Sequence, residues 1–323
     1  MDFLWLFTIY TIFLIICISA FCFLSARSRS SLDSVFHRAE KALSFLLPPW
    51  LQRCYSSYTR SGVFVALHLI LDALVFAEYT WEVFDYCSEL EINRLFLLLP
   101  YTLITANLFF FYKCCVTDPG VVTKQNEASR SQVYEYDEVL YHRHEQCHTC
   151  RLTKPARSKH CSVCGYCVQR FDHHCVWVNN CIGSLNIGYF LLYLFSLTLT
   201  VFSLAAVFAV FLLQVVLLSH MMTAAYVDSD GREQIMSIAV IIQHLFLTFP
   251  RIVFTLGFLL ILILLLGGYG SFMFYLALTN QTTNEWFKAK RLSSTVLYAG
   301  YSRGLLANMQ EIFQPHVYYK KGR

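Results

Sequence analysis

The stretch FDHHCVWVNNCIG, residues 171–183, sets a carboxylate (Asp172), two imidazoles (His173, His174) and two thiols (Cys175, Cys181) close together. Five further cysteines precede it, in the frame Cys147-x2-Cys150-x9-His160-Cys161-x2-Cys164-x2-Cys167-x6-His174-Cys175-x5-Cys181. A Cys-x2-Cys pair closes on one tetrahedral zinc, and two such pairs with intervening His and Cys make two sites. Two closed sites need eight ligands. The segment offers seven Cys plus His148, His160, His173 and His174, a surplus of three. Neighbours such as His160 and Cys161 point to different sides, which favours an interleaved pair of metals. Spacing alone does not say which cysteine is in excess, but at least one of His173, His174 and Cys175 is.

A free Cys175 beside His173, with Asp172 before it, has the makings of an activated nucleophile. A thiol is only slightly ionised at neutral pH, and a neighbouring imidazole raises the thiolate fraction. A carboxylate on the other ring nitrogen fixes the tautomer and stabilises the imidazolium. The competing readings are a third, irregular metal site and a purely structural finger.

The elements that must position these groups are membrane helices. The chain has 323 residues, 56% hydrophobic and only 14% charged, too apolar for an ordinary soluble domain. Residues 3–24 carry no charge, long enough to cross about 30 Å of hydrocarbon. Further spans read at about 62–79, 95–115 and 188–218. In the last apolar region the break at Phe249-Pro250-Arg251 places a span at about 252–278, with 238–249 as an interfacial or re-entrant approach. Lys and Arg number six in 25–61, eight in 116–186 and seven in 281–323, against one each in 80–94 and 219–237. The bias puts the N-terminus in a lumen or outside, and the Cys-rich loop and the tail in the cytosol. Topology thus accounts for the net charge of +4, and nucleic acid is not an expected partner.

The expected architecture is an all-α polytopic membrane protein of about five spans, with a cytosolic two-zinc Cys-rich domain between spans three and four. Its segments are an extra N-terminal anchor and linker (1–61), spans two and three (62–115), the Cys-rich domain (116–187), spans four and five (188–278) and a cytosolic tail (279–323). No internal repeat is evident. Seven of thirteen cysteines fall within 35 residues of one cytosolic loop, where thiols stay reduced, so metal or catalysis is favoured over disulfides. Cys114 and Cys115 read as small apolar residues or as juxtamembrane lipidation sites. His68 and Asp72 share a helical face within a span and should point into the bundle, as a packing pair or as a catalytic one.

The next span begins about a dozen residues after Cys175, holding the thiol within roughly 40 Å of the cytosolic membrane face. A nucleophile there suits an acyl-CoA, whose fatty chain enters the bundle while its nucleotide stays in water. Lys154, Arg157, Lys159 and Arg170 offer a basic surface for the CoA phosphates, unless they express positive-inside bias alone.

The stretch Cys147–Cys181 around Asp172-His173-His174-Cys175 resembles the zinc-finger DHHC-type protein S-acyltransferases, or palmitoyltransferases. Asp118-Pro119-Gly120 after the third span, Thr282-Thr283-Asn284-Glu285 after the last, and Asn308 with Phe313 in the tail extend the likeness over about residues 62–315. The resemblance implies that Cys175 takes an acyl group from palmitoyl-CoA as a thioester and passes it to a cysteine of a target protein. His173 would be the base and Asp172 its orienter. One zinc would be held by Cys147, Cys150, His160 and Cys167, and the other by Cys161, Cys164, His174 and Cys181. Thr282 and Thr283 would dock the tail on the zinc domain, Asn308 would hold the tail, and Trp177 would lie at the cavity mouth. The family usually has Pro after the catalytic Cys, where this chain has Val176, which puts rate in doubt rather than mechanism.

Asn280-Gln281-Thr282 matches a glycosylation sequon on the cytosolic side, where it should go unused. The terminal Lys320-Lys321-Gly322-Arg323 resembles a dilysine retrieval signal and points to the endoplasmic reticulum membrane, with Golgi or plasma membrane as alternatives. Against the acyltransferase stand a non-enzymatic membrane-anchored zinc module that binds partner proteins, and a RING-type ubiquitin ligase, which would lack His-His-Cys.

Overall fold

The computed structural model describes residues 61–227, 231–292 and 300–315. The expected span at 3–24, the linker that follows it and the Lys320–Arg323 terminus lie outside the described residues. Among the described residues, four helices are long and apolar enough to cross a membrane: Gly62–Glu89, Arg94–Val116, Ile187–Leu218 and Pro250–Leu278. The chain is a mostly helical, multi-pass membrane protein.

The first helix starts as α1 (Ser61–Glu78) and passes through a π-helical turn, Tyr79–Phe84, into α2 (Asp85–Glu89). The sequence suggests an end near 79, because Glu78, Glu82 and Asp85 thin the apolar run there. The helix instead continues, since Tyr79 is fully buried and donates its hydroxyl to the carbonyl of Leu97 on α3 (Arg94–Val116). Asn93 caps α3, its side chain accepting from Leu95 N at 2.9 Å.

Short strands then carry the Cys-rich segment: β1 (Val121–Val122), β2 (Gln146–Cys147), β3 (Leu152–Thr153), β4 (Lys159–Cys161), β5 (Tyr166–Val168), β6 (His173–Cys175) and β7 (Asn180–Ile182), with a short helix α4 (Glu127–Ser131). After them come α5 (Ile187–Leu218), a hairpin of β8 (Ala225–Val227) and β9 (Glu233–Ile235), α6 (Ile238–Thr248), α7 (Pro250–Leu278), α8 (Thr283–Leu292) and α9 (Leu305–Phe313). The described residues form two compact units, one of Gln214–Val253 with the start of α1, the other of Val63–Leu213 and Phe254 onward. In the smaller, Ser237 caps α6 by accepting from Val240 N, and α6 stops at Thr248. Pro250, with no N–H to donate, opens α7. The expected break falls there, separating 238–248 from the last span.

The larger unit contains the candidate site. Its strands make three hairpins, β2–β3, β4–β5 and β6–β7, with the equivalent cross-strand pairs Cys147↔Leu152, Cys161↔Tyr166 and Cys175↔Asn180. Each hairpin turns through one residue of positive φ: Arg151 at 53°, Gly165 at 76° and Asn179 at 49°. Successive copies lie fourteen residues apart. The Cys-rich segment is thus an internal repeat, which corrects the expectation of none. Only the ligand and turn positions recur, so similarity averaged over the segment is faint. Small cores such as Val122, Cys147, Leu152 and Cys167 accompany the hairpins, in keeping with a domain whose folding leans on metal.

Asp118-Pro119-Gly120 fastens the end of α3 to these hairpins. Asp118 Oδ1 accepts from Gly120 N at 2.8 Å and Val121 N at 2.9 Å, a local turn that Asp favours. Gly120 adopts φ 103° and its carbonyl accepts from Gln169 N at 2.9 Å. A Cβ on Gly183 would meet the Pro119 carbonyl at 2.5 Å, so these two segments touch backbone to backbone.

Candidate active site and metal centres

Two four-residue groups are placed to hold a metal ion: Cys147, Cys150, His160 and Cys167, and Cys161, Cys164, His174 and Cys181. Within each group the ligand atoms all lie within 4.8 Å of one another. Each uses the Cys-x2-Cys turn of one hairpin and a cross-strand pair from the next, His160↔Cys167 or His174↔Cys181. Nδ1 of His160 is 3.2 Å from the Cys150 sulfur, and Nδ1 of His174 is 3.3 Å from that of Cys164. Three thiols and one imidazole at tetrahedral separations suit zinc. His148 is exposed and belongs to neither group.

Strand geometry settles which neighbours diverge. Successive side chains on a strand face opposite ways, so on β6 His174 turns to the metal group while His173 and Cys175 share the other face. Cys175 lies outside both groups and is 8% exposed. Asp172, nearly fully buried, has Oδ2 2.6 Å from His173 Nδ1. The same carboxylate accepts from Thr283 N at 2.8 Å and Thr283 Oγ1 at 2.7 Å. Burial alone would raise the Asp172 pKa, but the hydrogen bonds from His173 and Thr283 hold it below the ordinary carboxylate value. Burial likewise opposes charge on His173, and its bonds to Asp172 and Cys175 override that and push it up to about 10. An imidazole whose Nδ1 serves the carboxylate leaves Nε2 to exchange a proton with the thiol. Thr283→Val removes one of the Asp172 donors without touching the thiol. It is expected to slow acylation of the enzyme about tenfold with metal content unchanged, read by stopped label incorporation and metal analysis.

His173, Cys175 and Trp177 line a cavity of about 510 Å³ whose other walls come from α1, α5 and α7 and are mainly apolar. Trp177 meets Phe64 of α1 edge-on at 5.4 Å, and the His173 ring meets Phe190 of α5 at 5.2 Å, which sets the mouth. On α5 the lining runs from Phe190 to Leu204, about 21 Å at 1.5 Å per residue. That depth suits a long saturated chain.

Two of the four basic residues expected to meet CoA have no surface to offer it. Arg157 is fully buried, donating to Glu285 Oε1 at 2.7 Å, to Glu285 Oε2 at 2.8 Å and to the Asn280 carbonyl at 2.8 Å. Its guanidinium stacks over Tyr134 and Tyr301. Arg170 is 2% exposed, bonds Asn280 Oδ1 at 3.0 Å and pairs with Glu311 at 3.3 Å. Both are internal ties, since a buried charge must be paired. Lys154 pairs with Glu145 at 2.6 Å, and Lys159 donates to Asn284 at 3.1 Å.

The tail motifs take shape around the same network. Thr282 Oγ1 accepts from Glu285 N at 3.1 Å while the Glu285 carboxylate accepts from Thr282 N at 3.0 Å, a capping box that starts α8. Asn308 donates to the Leu278 carbonyl at 2.7 Å and accepts from Arg303 N at 2.9 Å, tying α9 to the end of α7. Asn280 is buried and bonded on both sides of its amide, so the sequon is out of reach of a glycan. Sequence reasoning assigned no role to Glu285, Glu311 or Asn180. The Thr282-x-x-Glu285 spacing was the available signal for the first. Asn180, opposite Cys175, donates to the carbonyls of Cys114 and Thr117 at 3.0 and 2.9 Å, and nothing in the sequence marks it.

A thiol and an oriented imidazole at the mouth of a chain-shaped apolar cavity, among membrane-length helices, define a membrane-bound acyl transferase. The family model for DHHC palmitoyltransferases matches residues 140–290. Palmitoyltransferase ZDHHC4 of Rattus norvegicus is 46% identical over the whole of both chains. The Mus musculus protein of that name is 45% identical over 99% of each. Palmitoyltransferase SWF1 of Saccharomyces cerevisiae is 50% identical over a shorter stretch, 23% of this chain and 22% of its own. The chain belongs to the DHHC palmitoyltransferase family and is a protein S-palmitoyltransferase.

Proposed function

We propose that Cys175 carries the acyl group, with His173 as its base and Asp172 as the orienter of His173. The observation that carries this reading is the shared face of β6, where His173 and Cys175 line the cavity mouth with Asp172 bonded behind the ring. The proton of the Cys175 thiol rests on His173, whose imidazolium Asp172 stabilises, and the sulfur attacks the thioester carbonyl of palmitoyl-CoA. The C–S bond to CoA breaks and the CoA thiol leaves with the proton from His173. In the second half a target-protein thiol gives its proton to His173 and attacks the acyl-enzyme, and Cys175 recovers its proton as it leaves. Trp177 sits beside the reacting carbonyl and the chain lies in the cavity.

Zinc is the ion that the two sulfur-rich groups suit, and it would fix the three hairpins without entering the reaction. Lys154 and Lys159 are the remaining candidates to meet CoA phosphates. The loop bias of Lys and Arg supports five spans, a lumenal N-terminus, and a cytosolic zinc domain and tail, divided as 1–61, 62–115, 116–187, 188–278 and 279–323. The terminal lysines favour the endoplasmic reticulum membrane. Substrates are then cysteines of proteins presented at the cytosolic membrane face.

The test is to incubate the purified full-length protein with labelled palmitoyl-CoA and map hydroxylamine-labile label by peptide. Label on the peptide carrying Cys175 is expected, and label confined to any other cysteine would refute the assignment. His173→Ala is expected to slow labelling by about 10²- to 10⁴-fold, the usual contribution of a general base, with zinc retained.

A further inference from the structure

The acyl cavity is not uniformly apolar. On α1 the residues facing it are spaced as one helical stripe, His68, Leu71, Asp72, Val75 and Phe76, and two of these are ionisable. His68 Nε2 lies 3.3 Å from the Tyr193 hydroxyl of α5 and 3.5 Å from Asp72 Oδ2. The His68 ring is fixed from behind by Phe111 at 4.8 Å. Polar residues between membrane helices usually bond one another and so glue the helices together. Here the bonding is incomplete. The His68–Asp72 separation exceeds hydrogen-bond length, and among the described residues Asp72 Oδ2 has no hydrogen-bond partner. His68 and Tyr193 meet each other, but Asp72 is left over, so the polar group on this part of the cavity wall satisfies itself only in part. A buried polar atom left so is costly, and an ionisable residue within a span marks a functional position by default.

We propose that His68, Asp72 and Tyr193 form a hydrogen-bonding shelf that recognises a hydroxyl on the proximal half of the acyl chain. This rests on the reading that the chain on Cys175 lies in this cavity. A hydroxyl both donates and accepts, so it can give its proton to Asp72 and receive one from Tyr193 or His68, which a ketone or an ether cannot. Depth follows from the helix. Phe64 meets Trp177 at the mouth, and at 1.5 Å per residue His68 lies about 6 Å and Asp72 about 12 Å farther in. Beyond the shelf the lining is Val75, Phe76, Val201 and Leu204, with the Thr200 hydroxyl already donated to the Ser196 carbonyl at 2.8 Å. The shelf therefore reads position as well as polarity. It makes mid-chain hydroxyacyl-CoAs a second class of donor beside the saturated one.

The test compares three donors, palmitoyl-CoA, a mid-chain hydroxypalmitoyl-CoA and ω-hydroxypalmitoyl-CoA, for the rate of Cys175 labelling in the full-length protein. Wild type is expected to use the mid-chain isomer at least as well as palmitoyl-CoA and the ω-isomer at least tenfold less well, the usual discrimination of an apolar pocket. In Asp72→Leu, and in the milder Tyr193→Phe, the ratio of mid-chain hydroxyl to palmitoyl should fall about tenfold while zinc content stays constant. An unchanged ratio in both variants, or equal use of the two isomers by wild type, overturns the shelf and leaves the acyl-enzyme intact. No label on Cys175 from any donor overturns the acyl-enzyme reading and the shelf with it.

Discussion

Cys175→Ser is expected to abolish the hydroxylamine-labile acyl label while zinc stays near two per chain, whereas Cys164→Ser is expected to lose one zinc and destabilise the hairpins. The contrast follows from where each sulfur sits. Cys164 belongs to a group of four ligand atoms within 4.8 Å of one another, and Cys175 belongs to neither group. Serine occupies nearly the same space as cysteine, so the buried position at 175 stays filled and the His174↔Cys181 pair next to it is untouched. A hydroxyl at the mouth lacks the acidity and nucleophilicity of a thiol, so no thioester forms. Binding energy from a structural zinc is folding energy, so Cys164→Ser should also lower the thermal midpoint and expose the loop to protease. Metal analysis and label counting on the same preparation decide the matter. Label persisting in Cys175→Ser, or zinc lost from it, would sink the assignment.

Glu285→Ala is expected to be among the most destabilising single changes outside the metal ligands, about 3–5 kcal/mol, because it strands a buried arginine. Arg157 and Glu285 have no exposed surface and meet through two hydrogen bonds of 2.7 and 2.8 Å. Glu311, 3.6 Å from Arg157, is already shared with Arg170 and cannot take over. The substitution also removes the return half of the α8 capping box, leaving Thr282 N without its carboxylate acceptor. Its effect reaches the reaction, since α8 carries Thr283 onto Asp172. The double variant Arg157→Met, Glu285→Met removes both charges and should recover part of the loss, because an apolar pair of similar volume tolerates this site better than one unpaired ion. Thermal unfolding in detergent, followed with and without the second change, measures both. A loss under 1 kcal/mol for the single variant would mean that water reaches the pair.

How much of this was legible in the sequence depends on the kind of residue. The grouping of the eight metal ligands and the spare Cys175 came from family likeness, while counting showed only that the segment holds three groups more than two sites need, because ligand number is fixed by the ion. Alternation along a strand would have shown that His174 and Cys175 diverge, had β6 been foreseen. Charges were read less well. Arg157 and Arg170 look like surface cations in the sequence, and their partners lie more than a hundred residues away, at Glu285 and Glu311. No local pattern announces an ion pair of that separation. The membrane helices were legible because hydrocarbon demands length and apolarity. The extension through Tyr79–Phe84 was not, since its acidic residues mimic a loop.

The three hairpins have one more consequence. Cys147 and Cys161 each open a turn that closes with a second cysteine, Cys150 or Cys164, and Cys175 opens the third turn where the closing position is Val178. Val178 is buried against the apolar cluster that contains Cys175. The proposed nucleophile therefore stands where a ligand would stand in the other copies, on a scaffold already shaped for holding metal. With a valine in place of the second cysteine the third turn is a chelator with a single tooth, and that tooth is left free for other chemistry.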